Sequence, residues 1–378
     1  MIRVLVALAT ALLLHETSSF TLRSQTTTGT LLQQHTADNC DAQQEPIHHQ
    51  GLQSDGSGLF NRRDAMIASG NSALLLSTMF LGSPKAEAAT DAAGSIGMDP
   101  KHPIVILGAG GKCGKLCTKI LANKGLYVLA TTRDGRVVLE EDSPFVTYAS
   151  CDLKQETTVN QALSGASGVI FAASASGKKK GGVPRDVDYI GAMNTATACI
   201  QQKVPKLVML SAGTVTRPTS QGFKSTNYFV KDVYGEKVMD YKIAGESAVR
   251  DIYAQKGGKG KAYTIIRPGA LNGRPSKGST KLHVSQGDVY SSEIGREDVA
   301  MVTVEALLNG GATDFVTFEL NQIGGLKKGL ASLEDLPSEL VHAGAPTFSE
   351  LFDGLVTDAD MKSKYPNIVS DFRGDIEV

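Results

Sequence analysis

The chain has 378 residues, with 38 Lys and Arg against 39 Asp and Glu, a formal net charge of -1, 41% hydrophobic and 20% charged residues. That balance exerts no long-range pull on nucleic acid or on an anionic membrane surface, so no nucleic-acid partner is expected. Five cysteines, Cys40, Cys113, Cys117, Cys151 and Cys199, show neither zinc spacing nor the density of a disulfide framework, and no metal site is expected.

In chain order, residues 1–20 read as a signal peptide: Arg3 precedes an apolar run over 4–14, short for a bilayer span but the length of an h-region, with cleavage near Ser18-Ser19-Phe20. Residues 21–60 are rich in Ser, Thr, Gln and His and lack apolar periodicity, so they cannot offset the entropy of ordering and read as a plastid transit segment. Together they resemble the bipartite presequences of algae whose plastids lie inside extra membranes, although Asp38, Asp41, Glu45 and Asp55 depart from an acid-poor transit peptide. Residues 61–88 combine Arg62-Arg63, a run over 65–81 diluted by Gly, Ser and Asn, and Ala86-Glu87-Ala88, which resembles a twin-arginine signal for export into the thylakoid lumen. A plain hydrophobic anchor is the alternative. The expectation is a plastid protein of the thylakoid lumen, with the stroma as the alternative, and with a thylakoid membrane or photosynthetic complex as a partner.

A linker over 89–102 leads into a domain expected over 103–325. Ile104-Val105-Ile106-Leu107 is a continuous apolar run, as a parallel strand buried on both faces requires. Gly108-Ala109-Gly110-Gly111-Lys112-Cys113-Gly114 follows it directly and precedes a helical pattern in Leu116, Ile120 and Leu121. The first glycine permits the tight turn, the middle ones let backbone approach a pyrophosphate, and Gly114 lets helix and strand pack closely. The phosphates then meet the positive end of the helix. A second strand over 127–132 ends in Arg133, where an NAD-specific protein carries an acidic residue, so Arg133 is expected to meet the 2′-phosphate of NADP. The alternative is a solvated turn arginine. Further strands are expected at 146–148, 168–173, 206–210 and 263–266, with a helix over 187–202 among the stretches between them. Alternation of this kind specifies an α/β fold with a doubly wound parallel sheet of the Rossmann type.

The motifs GAGGKCG, CDL, VDYIGAMNTATACIQQKVPKLVMLSAG, YKIAGESAVR, YTIIRPGALNG and GREDVAMVTVEAL, in that order over 103–320, resemble the atypical short-chain dehydrogenase/reductase family. The resemblance implies a cofactor site at Gly108, Gly110, Gly111, Lys112, Gly114, Arg133, Asp152, Leu153, Ala172, Lys242 and Pro268. It also implies a catalytic set of Ser211 facing a substrate carbonyl and Lys242 holding the nicotinamide ribose. The family's carbonyl reductases place Tyr four residues before the lysine, and here that residue is Val238. Tyr241 points about a third of a turn away from Lys242, and Tyr234 is a candidate substitute acid with a packed aromatic as the alternative. For Lys242 the alternative is an i,i+4 salt bridge to Glu246.

The connections over 212–231 and 272–292 are expected to form the substrate pocket, since ligands of open α/β sheets bind outside the carboxyl ends of strands. Lys178-Lys179-Lys180 lies on the same edge and reads as a solvated basic loop, with contact to an anionic ligand or partner as the alternative. A redox pair of Cys113 and Cys117 meets the strain of intrahelical disulfides. Leu336, Leu340, Phe348, Leu351, Phe352 and Leu355 suggest a small helical cap over 326–378. The function expected is an NADP(H)-dependent plastid oxidoreductase of unidentified small-molecule substrate, with an NADP(H)-binding assembly or scaffold factor as the alternative.

Overall fold

The computed structural model describes residues 96–175, 182–234, 238–325 and 336–368, and backbone alone over 229–234. The signal, transit and twin-arginine readings, the Lys178-Lys179-Lys180 loop and the side chain of Tyr234 lie outside what is described.

Hydrophobic runs become strands that are buried on both faces. Strand β1 (Ile104–Leu107) sends Ile104 and Ile106 to one side and Val105 and Leu107 to the other, and all four are fully buried. It is the third strand from one edge of a nine-stranded sheet of order β11-β8-β10-β6-β5-β4-β1-β2-β3. The other members are β2 (Val128–Thr132), β3 (Val146–Ser150), β4 (Gly168–Phe171), β5 (Lys206–Leu210), β6 (Ala262–Pro268), β8 (Leu282–Ser285), β10 (Val316–Gln322) and β11 (Val341–Ala343). From β3 across to β10 every pairing is parallel. The pairings of β8 with β10 and β11 are antiparallel. Short strands β7 (Ala270–Asn272) and β9 (Glu293–Gly295) pair separately.

Helices α1 (Lys112–Asn123) and α6 (Arg296–Leu308) cover the face that buries Ile104 and Ile106. The face that buries Val105 and Leu107 is covered by α2 (Glu156–Leu163), α3 (Gly191–Gln201) and α5 (Val238–Lys256). This is the doubly wound architecture, and the strand order reverses direction between β1 and β4, where such sheets open a crevice. Among the described residues no helix is long and apolar enough to cross a membrane.

Three sequence expectations need correction. The helix expected over 187–202 begins with a π-helical turn, Arg185–Ile190, before α3. The connection over 272–292 is not simply a loop, because it contains β8, and β10 is a seventh parallel strand beyond the six expected. The segment expected as a small helical cap carries two 3₁₀ turns and one short helix, α7 (Asp358–Lys364), and in addition supplies β11 to the sheet.

Candidate functional site

The glycine loop is shaped by close approaches that leave no room for a side chain. Gly108 sits at φ +85°, and a Cβ there would lie 2.7 Å from the Ala173 nitrogen and Cα. A Cβ on Gly114 would stand 2.3 Å from the Gly108 carbonyl oxygen, so this glycine lets α1 start hard against β1. Gly111 is the N-cap of α1, with no side-chain cap and no acidic residue in the first turn. The N–H groups of that turn are therefore left for an external acceptor, and the helix dipole favours an anionic one. Ala172 lies beside the loop: its N–H donates to Leu107 and its carbonyl is 3.8 Å from where a Gly111 Cβ would stand.

At the end of β2, Thr132 donates to Asp134 and Asp134 accepts from Arg136, 3.0 Å away. Arg136 Nη2 is 3.0 Å from the Cβ position of Gly110, so this guanidinium stands over the glycine loop. Arg133 is exposed and makes no ion pair with a described residue. Arg136 was missed in the sequence, although two arginines three apart after a second strand were visible there.

The segment after β5 is zipped onto the end of β6: Ser211 N–H donates to Ile266, and Gly213 N–H to the Pro268 carbonyl, both at 2.8 Å. Ser211 Oγ is buried beside Glu246, and its hydroxyl helps to keep that carboxyl charged. Asp288 joins the two long connections, accepting from Thr214 N–H at 2.6 Å and from Thr216 N–H and Oγ1 at 2.7 and 2.8 Å. Gly269 gives the closest approach, with a Cβ position only 1.9 Å from the Ser292 carbonyl oxygen.

Lys242 is buried on α5, and its ammonium is 2.7 Å from Asp188 in the π-helical turn, not on Glu246. Glu246 instead binds Arg267 and Arg250 at 2.7 and 2.9 Å. Burial pushes the Glu246 carboxyl up, but the two guanidiniums outweigh it and hold the group at about 2. Val238, where the tyrosine of the reductase dyad would stand, is buried with Val215, Phe223, Met239 and Ile243. Tyr234 is the last residue of α4 (Gln221–Tyr234).

The sequence profile of the NAD(P)H-binding family matches residues 108–310, more than half of the chain. The chain belongs to that NAD(P)H-binding family. It is 28% identical over 211 residues to an uncharacterized chloroplastic protein of Arabidopsis thaliana, covering 54% of this chain and 71% of that one. Among solved structures it is similar to an oxidoreductase of Lactococcus lactis, at 25% identity and TM-score 0.46 over 60% of this chain and 92% of that one. A short-chain dehydrogenase/reductase of Veillonella parvula in complex with NADP matches at 16% identity and TM-score 0.47 over 61% of this chain and 99% of that one.

The residues present fit an NAD(P)H. The uncapped first turn of α1 and the side-chain-free surface of Gly110 and Gly111 form a cradle for a pyrophosphate. Other expected cofactor residues also bond within the fold. Leu153 is buried against α3, where its carbonyl accepts from Asn194 at 2.9 Å, and Asp152 accepts from Lys154 N–H and from Thr158 Oγ1 at the start of α2. Lys112 is exposed and shares a groove of about 300 Å³ with Arg274 and Arg296. Cys113 is half-buried, and burial raises its thiol pKa against the opposing influence of Arg296, Lys112 and Lys242. Cys117 is wholly buried, its Sγ 4.0 Å from the Ala300 carbonyl, and its thiol is raised by burial as well. Both are free thiols.

Proposed function

We propose that the protein is an NADP(H)-dependent plastid oxidoreductase of the atypical short-chain dehydrogenase/reductase type, acting on a small molecule. One observation carries this: the glycine cradle, Ser211, Lys242 and Pro268 all gather at the carboxyl ends of β1, β4, β5 and β6, the crevice side of a doubly wound sheet. When bound, the dinucleotide supplies or accepts the hydride. The α1 N–H groups hold its pyrophosphate, Arg136 and Arg133 meet the 2′-phosphate, and Lys242 holds the nicotinamide ribose. Ser211, with its hydroxyl buried at the end of β5 beside Glu246, is the group that orients a substrate oxygen.

The proton comes from elsewhere than a tyrosine at 238. General acid help is worth roughly a hundred- to ten-thousand-fold in rate, so turnover of simple carbonyls should be slow. That apolar packing around Val238 favours a second reading, an NADP(H)-binding assembly factor without turnover at a thylakoid complex. Fluorescence titration and NADPH oxidation against a panel of aldehydes and quinones separate the two. Binding with turnover that is lost in Ser211→Ala supports the oxidoreductase, binding with no turnover supports the assembly factor, and absence of binding removes both.

The plastid assignment is supported by the presequence and by the relative described as chloroplastic. Export to the lumen rests on Arg62-Arg63. Fractionation of a variant with both arginines changed to lysine tests it, because mature protein still found in the lumen excludes the twin-arginine route.

A further inference from the structure

Lys242 needs something to keep an ammonium in place in a nearly dry setting, and the structure supplies it from a part of the chain with no glycine or dyad motif. Asp188 is 1% exposed and Lys242 8% exposed, and their 2.7 Å contact leaves two of the three ammonium hydrogens for other acceptors. The second carboxylate oxygen of Asp188 accepts the Ala175 N–H at 2.9 Å, which ties down the chain as it leaves β4. Asp188 itself sits in the π-helical turn Arg185–Ile190, a widened turn of the kind that recurs at functional sites. Gly245, three residues beyond Lys242, closes the arrangement: a Cβ there would lie 2.1 Å from the Asp188 carbonyl oxygen, so α5 touches the π turn backbone to backbone. Lys242 is thereby held at a fixed distance from Asp188 by main-chain packing as well as by charge.

We propose that Asp188 is a positioning residue for the cofactor: one carboxylate aims the Lys242 ammonium at the nicotinamide ribose and fixes the chain after β4 around the same ligand. This rests on the NADP(H) reading above. Asp188 takes the place of the tyrosine as the partner of Lys242. Lys242 is committed to a buried carboxylate, so its work is holding the dinucleotide. Removing Asp188 leaves a buried cation without its counter-charge and frees Ala175 at once.

The test separates the two halves of the dinucleotide. In Asp188→Asn the dissociation constant for NADPH should rise at least tenfold, with loss of the fluorescence enhancement that a fixed nicotinamide shows. Affinity for adenosine 2′,5′-bisphosphate, which lacks the nicotinamide half, should stay within about twofold of the unaltered protein. Lys242→Met should show the same split, and the double variant should be no weaker than the weaker single one, because both changes remove one device. Asp188→Glu keeps the charge pair and shifts it by one methylene, so it provides a folded variant if Asp188→Asn does not fold; a severalfold loss for NADPH alone is expected. Unchanged NADPH affinity in these variants overturns the proposal, and so does an equal loss for both ligands, which marks a structural role only. An unaltered protein that binds neither ligand overturns the NADP(H) reading itself, and this proposal with it.

Discussion

At the scale of single residues, the charges at the two ends of the crevice do different work. Arg136 is exposed but aimed, because Asp134 orients it over Gly110, whereas Arg133 has no such support. Arg136→Ala should therefore weaken NADPH roughly tenfold, the size of one charge-assisted hydrogen bond of about 1.5 kcal/mol, and leave NADH almost unchanged. Parallel titrations of the two dinucleotides decide it, and equal losses would remove Arg136 from the 2′-phosphate site. On the opposite side of the sheet centre, Arg267 is ringed by Glu246, Glu319 and Asp288, all fully buried. Burial, with Asp288 adding to it, raises the Glu319 carboxyl to about 8, while burial lowers His283 to about 4. The signs oppose each other. Between about pH 4 and 6.5 an unfolded His283 binds a proton that the folded one refuses, so stability rises with pH. Between about 4.5 and 8 folded Glu319 keeps a proton that the unfolded one has lost, so stability falls with pH. Between about pH 4.5 and 6.5 these two contributions oppose each other, and above that the Glu319 contribution alone declines toward about pH 8. Glu319→Gln should abolish that decline in thermal melts, since a neutral amide replaces a group that is protonated there.

At the scale of elements, the start of α5 explains why a missing tyrosine is not a simple vacancy. Val238 packs among Val215, Phe223, Met239 and Ile243, and α4 lies over it. Val238→Tyr should overpack this cluster and cost roughly 1–3 kcal/mol, without restoring a reductase dyad. Urea denaturation measures the cost; a variant of full stability with new carbonyl reduction would show that the helix can accommodate the acid. The glycine loop and the strands β1 and β4 were legible because each of those runs is apolar and followed by turn residues, and β2, β3, β5 and β6 because each carries β-branched or aromatic residues between turn signals. β10 was less so, since Val316-Thr317-Phe318-Glu319-Leu320-Asn321-Gln322 alternates, with Phe318 and Leu320 in the apolar core, Thr317 and Glu319 facing the ion network and Asn321 accepting the Ser292 N–H. That period-two signal was present but unread. The Lys242 partner was illegible for another reason: Glu246 is the correct i+4 neighbour, and only the tertiary placement of the π turn brings Asp188 nearer while Arg267 claims Glu246.

At the scale of the molecule, the stretch over 336–368 belongs to the sheet and to the ion network. β11 pairs with β8 through Val341, His342 and Ala343, which gives β8 neighbours on both sides. Leu351 and Phe352 are buried in the core shared with α1 and α6, Phe352 tilting against Phe318 at 5.8 Å between ring centroids. Val356 exchanges both of its backbone hydrogen bonds with the Gln286 side chain. Asp358 then accepts from Thr317 N–H at 2.8 Å, Thr317 Oγ1 at 2.7 Å, Tyr263 Oη at 2.9 Å and Arg250 at 2.8 Å. A detachable lid would share few such bonds with the core. Ending the chain at residue 325 should expose the edge of β8, strip Phe318 of its cover and leave Arg250 short of a carboxylate. An open edge beside newly exposed apolar surface leads to association. The shortened protein should therefore elute as aggregate, or melt at least 10 °C lower, in size exclusion and thermal scans. Asp358→Ala isolates the polar part of the effect, with an expected loss of about 3 kcal/mol for breaking a largely buried pair. Soluble, monodisperse shortened protein with an unchanged melting temperature would show that the sheet ends at β8 and that the final segment only rests on it.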